Sequence, residues 1–272
     1  MTNRPRLLVV DIDGTLINRA GDISAADRQA LARAIETGIG VSLSTGRVGQ
    51  ACRKVIELLS LDGYHVFADG ALVADPQSDR EIYVEPIPRQ LVQEIVEFVH
   101  VHEMRIDLYS SRQFFVEKED WATEIRRKFF GIEPTLTDLG NVWQNERIIK
   151  GTLVVYSPEE KAQAEHFRHH FNDRINFSWT MTPAYPGVDF INVISREVSK
   201  GRALEELASF LGIELSEVVA IGNGDNDVSL LSTAGLGIAM GNSPDGLKAV
   251  ADHVVPDVEH SGVAVAVEKF IL

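Results

Sequence analysis

Apolar residues follow one another in this chain in two rhythms. In "LLVVDIDGTLIN" four of them, Leu7 to Val10, run without interruption and stop at Asp11, the form of a strand covered on both faces. Leu31, Ala34 and Ile35 then recur at helical spacing, behind a Ser24 placed to cap them and ahead of Gly38. "GIGVSLST" reads as a second strand, Ala51 to Leu59 as a second helix, and "HVFAD" as a third apolar stretch. Strands and helices in this alternation predict a parallel, doubly wound sheet, the α/β (Rossmann-like) class.

From about Pro86 the rhythm changes. "QLVQEIVEFVHVH" is an amphipathic helix, but "RIDLYS" and "RQFFVEK" then read as neighbouring strands. "KGTLVVYS", a polar helix from Pro158 to Phe171, "INFSWTMT" and "DFINVIS" continue a mixed α+β texture that holds Trp121, Trp143 and Trp179, expected as local core. After Ser195 the first texture returns, with the helix "KGRALEELASFLG", the strand "VVAIGN", the helix "DVSLLSTA" and the strand "GLGIAM". The expected organisation is a core of residues 1–84 and 195–272, interrupted by an inserted α+β domain over 85–194.

A length of 272 residues lies between one average domain and two, which agrees with that division. Lys and Arg total 26 against 40 Asp and Glu, a formal net charge of -14. Nothing in this balance attracts nucleic acid or an anionic membrane, although an anionic small molecule would need a local basic pocket. The single Cys52 has no partner for a disulfide and is expected as a small core residue. "MTNRPRLLVV" reaches Asp11 before it could form a secretory apolar region, and no stretch has the length of a membrane span, so a cytoplasmic protein is expected. Asn176-Phe177-Ser178 fits a glycosylation pattern, which in that setting is coincidence.

Ligands of doubly wound sheets bind beyond the carboxyl ends of the strands. Four polar sequences fall there: Asp11-Ile12-Asp13-Gly14-Thr15, Ser44-Thr45-Gly46-Arg47, Ser199-Lys200-Gly201, and the run from Gly222 to Asp227. Asp11 ends its strand where it can act as a nucleophile, and Asp13 can serve as general acid and then base. Gly14 lets the chain turn and leaves backbone N–H groups for an anion. Two acids so close call for a divalent cation between Asp11 and the last acidic loop; since the candidate ligands are oxygen, Mg²⁺ fits. The Thr45 hydroxyl and the Lys200 ammonium suit phosphate oxygens, and the set as a whole suits phosphoryl transfer. "GNGDND" resembles a calcium loop in composition but lacks the terminal Glu at the required spacing. His166, His169 and His170 lie on a polar helical stretch and read as a solvated face.

At these residues the sequence resembles the haloacid dehalogenase superfamily, and within it the Cof-type phosphatases that carry a cap domain. "DIDGTL", "VSLSTGR", "VSKGRAL" and "AIGNGDNDVSLL" match the four motifs in order, with the insertion between the second and third. The resemblance implies an aspartyl-phosphate nucleophile at Asp11 and an acid/base at Asp13. It also implies phosphate or substrate binding by Gly14, Thr45, Gly46, Arg47, Lys200 and Asn226. Mg²⁺ would be held by Asp11, the Asp13 carbonyl, Asn223 and Asp227. The family's fourth motif has Asp where this chain has Asn223, and Asp225 is an additional acid that the motif does not require, so either completes the metal site at this stage. Cap residues choose the substrate in such proteins; Arg47 at the rim and Tyr185 in "TPAYPGVDF" are the expected contacts. The expected activity is hydrolysis of small phosphate monoesters, sugar phosphates above all, by a monomer or homodimer. A phosphomutase of related architecture and, from a different class, a receiver-like signalling module use similar parts.

Overall fold

The computed structural model describes residues 4–181 and 185–272. The first stretch forms β1 (Leu7–Val10), α1 (Ala25–Glu36), β2 (Gly40–Leu43), α2 (Arg53–Leu58), β3 (His65–Phe67), β4 (Leu72–Asp75) and β5 (Arg80–Val84). The second forms α3 (Arg89–Val101), β6 (Asp107–Tyr109), β7 (Phe114–Val116), α4 (Trp121–Phe130), β8 (Thr135–Leu136), α5 (Leu139–Asn145), β9 (Lys150–Val155), α6 (Pro158–Phe171), β10 (Ile175–Met181) and β11 (Asp189–Ser195). The chain closes with α7 (Lys200–Leu211), β12 (Val218–Gly222), α8 (Val228–Thr233), β13 (Leu236–Ala239), α9 (Asp245–Val250), β14 (His253–Val254) and α10 (Gly262–Phe270). Two compact units result: Met1–Arg47, Arg53–Tyr83 and Ser199–Leu272 form one, and Val48–Cys52 with Val84–Val198 the other.

The first unit is built on a parallel sheet of order β14-β13-β12-β1-β2. Leu7 and Val9 pack with Ala203, Leu204 and Leu207 of α7, while Leu8 and Val10, on the other side of the pleat, are equally buried. Coverage on both faces is why β1 reads as an unbroken apolar run. Ser24 caps α1 by accepting from the Asp27 N–H, and Ser199 caps α7 by accepting from Arg202 N–H.

The third apolar stretch departs from expectation. β3 is not a member of the parallel sheet; a single bridge, Ser44 to Val66, forms beside the end of β2, and β3 pairs antiparallel with β4 in a separate sheet β3-β4-β5. The cause is the turn that follows it. Ala68, Asp69 and Gly70 have φ values of 51°, 58° and 104°, a left-handed run that reverses the chain into β4. Gly70 is required twice over, since a Cβ there would also lie 2.2 Å from the Ser199 carbonyl oxygen. The turn is thereby pressed against the start of α7.

The second unit is a six-stranded sheet of order β10-β11-β9-β6-β7-β8, antiparallel except for the β7–β8 pair. α3, α5 and α6 bury one of its faces around Phe167, Phe171 and Leu108. Its other face carries Ser178, Asn192, Thr152 and Asp107 on four neighbouring strands, in cross-strand register. Cys52 is buried, and His166, His169 and His170 are exposed. Trp143 packs against the core, but Trp121 and Trp179 are 39% and 44% exposed; both belong to the edges of the sheet's coverage and not to its centre. No helix among the described residues is long and apolar enough to cross a membrane.

His65 gives the first unit a pH-dependent stability. Its ring is buried in β3, Nδ1 accepts the Leu43 N–H at 3.2 Å, and burial pushes its pKa down to about 4 against the opposing pull of Asp75 and Asp62. In the unfolded chain it titrates near 6.5, so acid loads the unfolded state first. Its contribution is complete above that pH and is lost as pH falls from about 6.5 toward about 4. His65→Asn keeps an acceptor for Leu43 and removes the titration. Urea unfolding at pH 7 and pH 5 should show wild type losing about 2 kcal/mol more than the variant; equal losses would place the titration elsewhere.

Candidate active site

Every polar sequence singled out in the core ends a strand of the parallel sheet or starts the helix beside it. Asp11 extends β1 by one residue, its N–H donating to the Ile221 carbonyl at 2.9 Å. The chain then tightens, with Leu16 and Ile17 N–H groups both donating to the Ile12 carbonyl. This turn sends the two acids in different directions. The Asp11 side chain is 8% exposed, and that of Asp13 is 43% exposed.

Lys200 is the first residue of α7, yet its side chain is fully buried. Its Nζ donates to Asp11 Oδ1 at 2.8 Å and to Asp227 Oδ1 at 2.6 Å. Burial alone would depress an ammonium, but Asp11, Asp227 and Asp69 outweigh it and hold Lys200 protonated, with its pKa raised. Burial pushes the Asp11 carboxyl up to about 7, helped by the charges of Asp227 and Asp13 and opposed by Lys200. The second oxygen of Asp227 accepts the N–H groups of Asn223 and Gly224 at 2.8 and 2.9 Å, which closes the loop after β12.

On the other side of Asp11 lies Asn223. In one orientation its Oδ1 accepts from Thr15 Oγ1 at 2.8 Å. Turned over, its nitrogen donates to that same hydroxyl oxygen at 2.8 Å, to the Asp13 carbonyl at 2.9 Å and to Asp11 Oδ2 at 3.1 Å. Gly14, at φ +85°, is the residue that allows this approach, because a Cβ there would stand 2.5 Å from the Asn223 amide.

Arg47, expected as a substrate contact, grips Asp13: Nε donates to Oδ2 at 2.8 Å and Nη2 to Oδ1 in a bidentate pair. Thr45 is buried, and its hydroxyl oxygen accepts the Arg47 N–H at 3.1 Å, so its own proton stays available. Gly46 leaves room for Asp69, whose Oδ1 would meet a Cβ there at 2.9 Å and which accepts from Asn226 Nδ2 at 2.7 Å. Asp11, Asp13, Gly14, Thr45, Gly46, Arg47, Lys200, Asn223, Asn226 and Asp227 therefore share one neighbourhood. Asp225 lies exposed at the start of the 3₁₀ turn Asp225–Asp227. Tyr185 packs in the second unit against a cluster that includes Phe190, and Thr182 to Ala184 beside it lie outside the described residues.

Two residues of the site were missed in the sequence. Asp69 follows β3, and Asn242, whose amide donates to the Gly14 carbonyl at 2.9 Å, follows β13. The rule that placed the other residues, polar side chains just beyond strand ends, would have found both.

The donor set around Asp11 is oxygen, which suits Mg²⁺. Asp11 Oδ2 and the Asp13 carbonyl converge on the Asn223 amide, and these groups fit a hard divalent cation. Asp227, expected with them, has both oxygens engaged with Lys200 and the loop backbone. Among the described residues no group of three or more His, Cys, Asp or Glu side chains is placed to hold a metal.

Comparison with known proteins shows the family of the chain. Residues 8–267 match a family model described as haloacid dehalogenase-like hydrolase. Phosphatase YwpJ of Bacillus subtilis is 27% identical over 278 residues, covering 95% of this chain and 97% of that protein. The 5-amino-6-(5-phospho-D-ribitylamino)uracil phosphatase YcsE of the same organism is 26% identical over 267 residues, 98% of this chain and 96% of its own. A solved haloacid dehalogenase-like hydrolase from Bacteroides thetaiotaomicron superposes with a TM-score of 0.83 at 24% identity, over 98% of this chain and 99% of that one.

Removing the buried cation should be costly. Lys200→Met keeps most of the volume but leaves Asp11 and Asp227 facing each other without a counter-charge. Urea unfolding at neutral pH should show a loss of about 3–5 kcal/mol, part of which Asp227→Asn in the same chain restores. A loss too small to measure would mean that Lys200 is not buried between the two acids in solution.

Proposed function

The chain belongs to the haloacid dehalogenase-like hydrolases and is a phosphatase, and we propose that it hydrolyses small phosphate monoesters through a phosphorylated Asp11, with sugar and polyol phosphates as substrates. The observation that carries this reading is the unequal treatment of the two acids after β1. Asp11 is buried and fixed in direction by Lys200, as a nucleophile has to be. Asp13 is more exposed, as suits a group that exchanges protons with a leaving group and with water, and its bidentate pair with Arg47 has to open for it to do so. The phosphoribityl group in the 5-amino-6-(5-phospho-D-ribitylamino)uracil named for YcsE supports the substrate class.

In this reading an Asp11 oxygen forms a bond to phosphorus while the bond to the alcohol oxygen breaks, and Asp13 gives that oxygen its proton. Water then attacks the phosphorus and passes a proton to Asp13, which releases inorganic phosphate and restores Asp11. Lys200 sets its ammonium beside the reacting carboxylate, where negative charge gathers, and the Thr45 hydroxyl has a proton to offer a phosphate oxygen. Asp69 steadies Asn226 at the rim. Mg²⁺ would be held by Asp11, the Asp13 carbonyl and Asn223, and supplies positive charge against the phosphate oxygens.

Asp11→Asn should abolish phosphate release from a panel of sugar and polyol phosphates while leaving the circular dichroism spectrum unchanged, since an amide cannot attack phosphorus. Near-wild-type release would remove Asp11 from this role, and transfer of phosphate within the substrate without release would point to a mutase. Asp13→Asn should lower turnover by about 10²–10⁴-fold on an alkyl phosphate and by much less on nitrophenyl phosphate, whose leaving group needs no proton. Equal losses on both would count against the acid/base assignment.

A further inference from the structure

Asn223 is surrounded by acceptors. Asp11 Oδ2, the Asp13 carbonyl and Thr15 Oγ1 all lie within 3.1 Å of one atom of its side-chain amide. An oxygen at that position can receive a hydrogen bond from Thr15 alone and faces two further acceptors across hydrogen-bond distances. A nitrogen there brings two hydrogens to three acceptors, two of which have no hydrogen of their own. The other half of the amide sits over Gly14, with room that a side chain at residue 14 would fill.

Two of these oxygens, Asp11 Oδ2 and the Asp13 carbonyl, are ones that the proposed cation would take, so the amide nitrogen and the cation compete for them. We infer that Asn223 is a two-position side chain: without a cation its nitrogen binds Asp11, Asp13 and Thr15 together, and it turns over to offer its oxygen when a divalent cation enters. The inference rests on the metal placement proposed above. A carboxylate at residue 223 could fill only the second role, because it has no hydrogen to give and would add charge beside Asp11. Asn223 therefore keeps the loops after β1 and β12 joined with or without metal. The cation, in turn, has to displace a bonded amide and gains no charge from it, so it binds more weakly than it would to a carboxylate.

The test compares wild type with Asn223→Asp by thermal unfolding in EDTA and in Mn²⁺, and by calorimetric titration of Mn²⁺. In EDTA the variant should melt several degrees below wild type. Mn²⁺ should raise the variant by more than it raises wild type, and the variant should bind it about ten-fold more tightly or better. A variant as stable as wild type in EDTA overturns the inference, as does an equal gain from Mn²⁺ in the two proteins. If the variant does not fold without metal, wild type alone decides. The Asn223 side-chain NH₂ signals, identified by their loss in Asn223→Ala, should be protected from hydrogen exchange in EDTA and lose that protection in Mg²⁺. Open exchange in EDTA refutes the nitrogen-inward position. Phosphate release is not read in any of these arms. Its absence would sink the phosphatase mechanism alone, and a protein that binds neither Mn²⁺ nor Mg²⁺ would sink the metal placement and the turning-over of the amide with it.

Discussion

A buried ammonium has no water to solvate it, and in this protein Lys200 is such a group. Its two carboxylate partners, Asp11 and Asp227, stand 189 and 27 residues away in sequence. Each would itself be costly to bury alone, so the three charges are stable only together. That requirement ties the end of β1, the loop after β12 and the first turn of α7 to one point. The elements behind them pack together there: Leu7 and Val9 of β1, Leu204 and Leu207 of α7 and Ala220 of β12 share one buried cluster. Chemistry and stability thus draw on the same contact.

The turn at Ala68 to Gly70 serves the same point from the other side. By reversing the chain after three residues of β3 it gives up a place in the parallel sheet, and it brings the Gly70 backbone against the Ser199 carbonyl. Asp69 is left next to Gly46 and Asn226, and its charge is the third that favours the protonated Lys200. A longer, regular third strand would have carried that carboxylate elsewhere. Backbone strain of this kind is tolerated where the surroundings fix the conformation.

Charge is distributed unevenly within the site. Lys200 sets one positive charge against the two buried acids, and Arg47 pairs with Asp13 on the exposed side. Between them, Asn223 is neutral. An acid there would place another carboxylate beside Asp11, whose proton affinity is already raised by burial and by Asp227. The amide avoids that repulsion, at the expense of attraction for a cation. Asp225 does not compensate, since it points to solvent from the start of its turn.

Much of this was legible in the sequence. The run Leu7–Val10 ending on Asp11, the cap Ser24, and the helix that opens at Pro158 are set by side-chain periodicity and local hydrogen bonding, which the chain carries in every context. Those signals located the strand ends, and through them Asp11, Asp13, Thr45, Lys200 and the loop from Gly222. Partners were decided by the tertiary structure. That β3 leaves the sheet, that Arg47 turns to Asp13, that Asp69 and Asn242 join the site, that Asn223 and not Asp225 faces Asp11, and that Trp121 and Trp179 stay at the surface all depend on approaches between segments distant in sequence. The physical reason is one of range. Periodicity and capping act over a few residues, whereas the partner of a buried charge or amide is whichever group the folded backbone brings within about 3 Å of it.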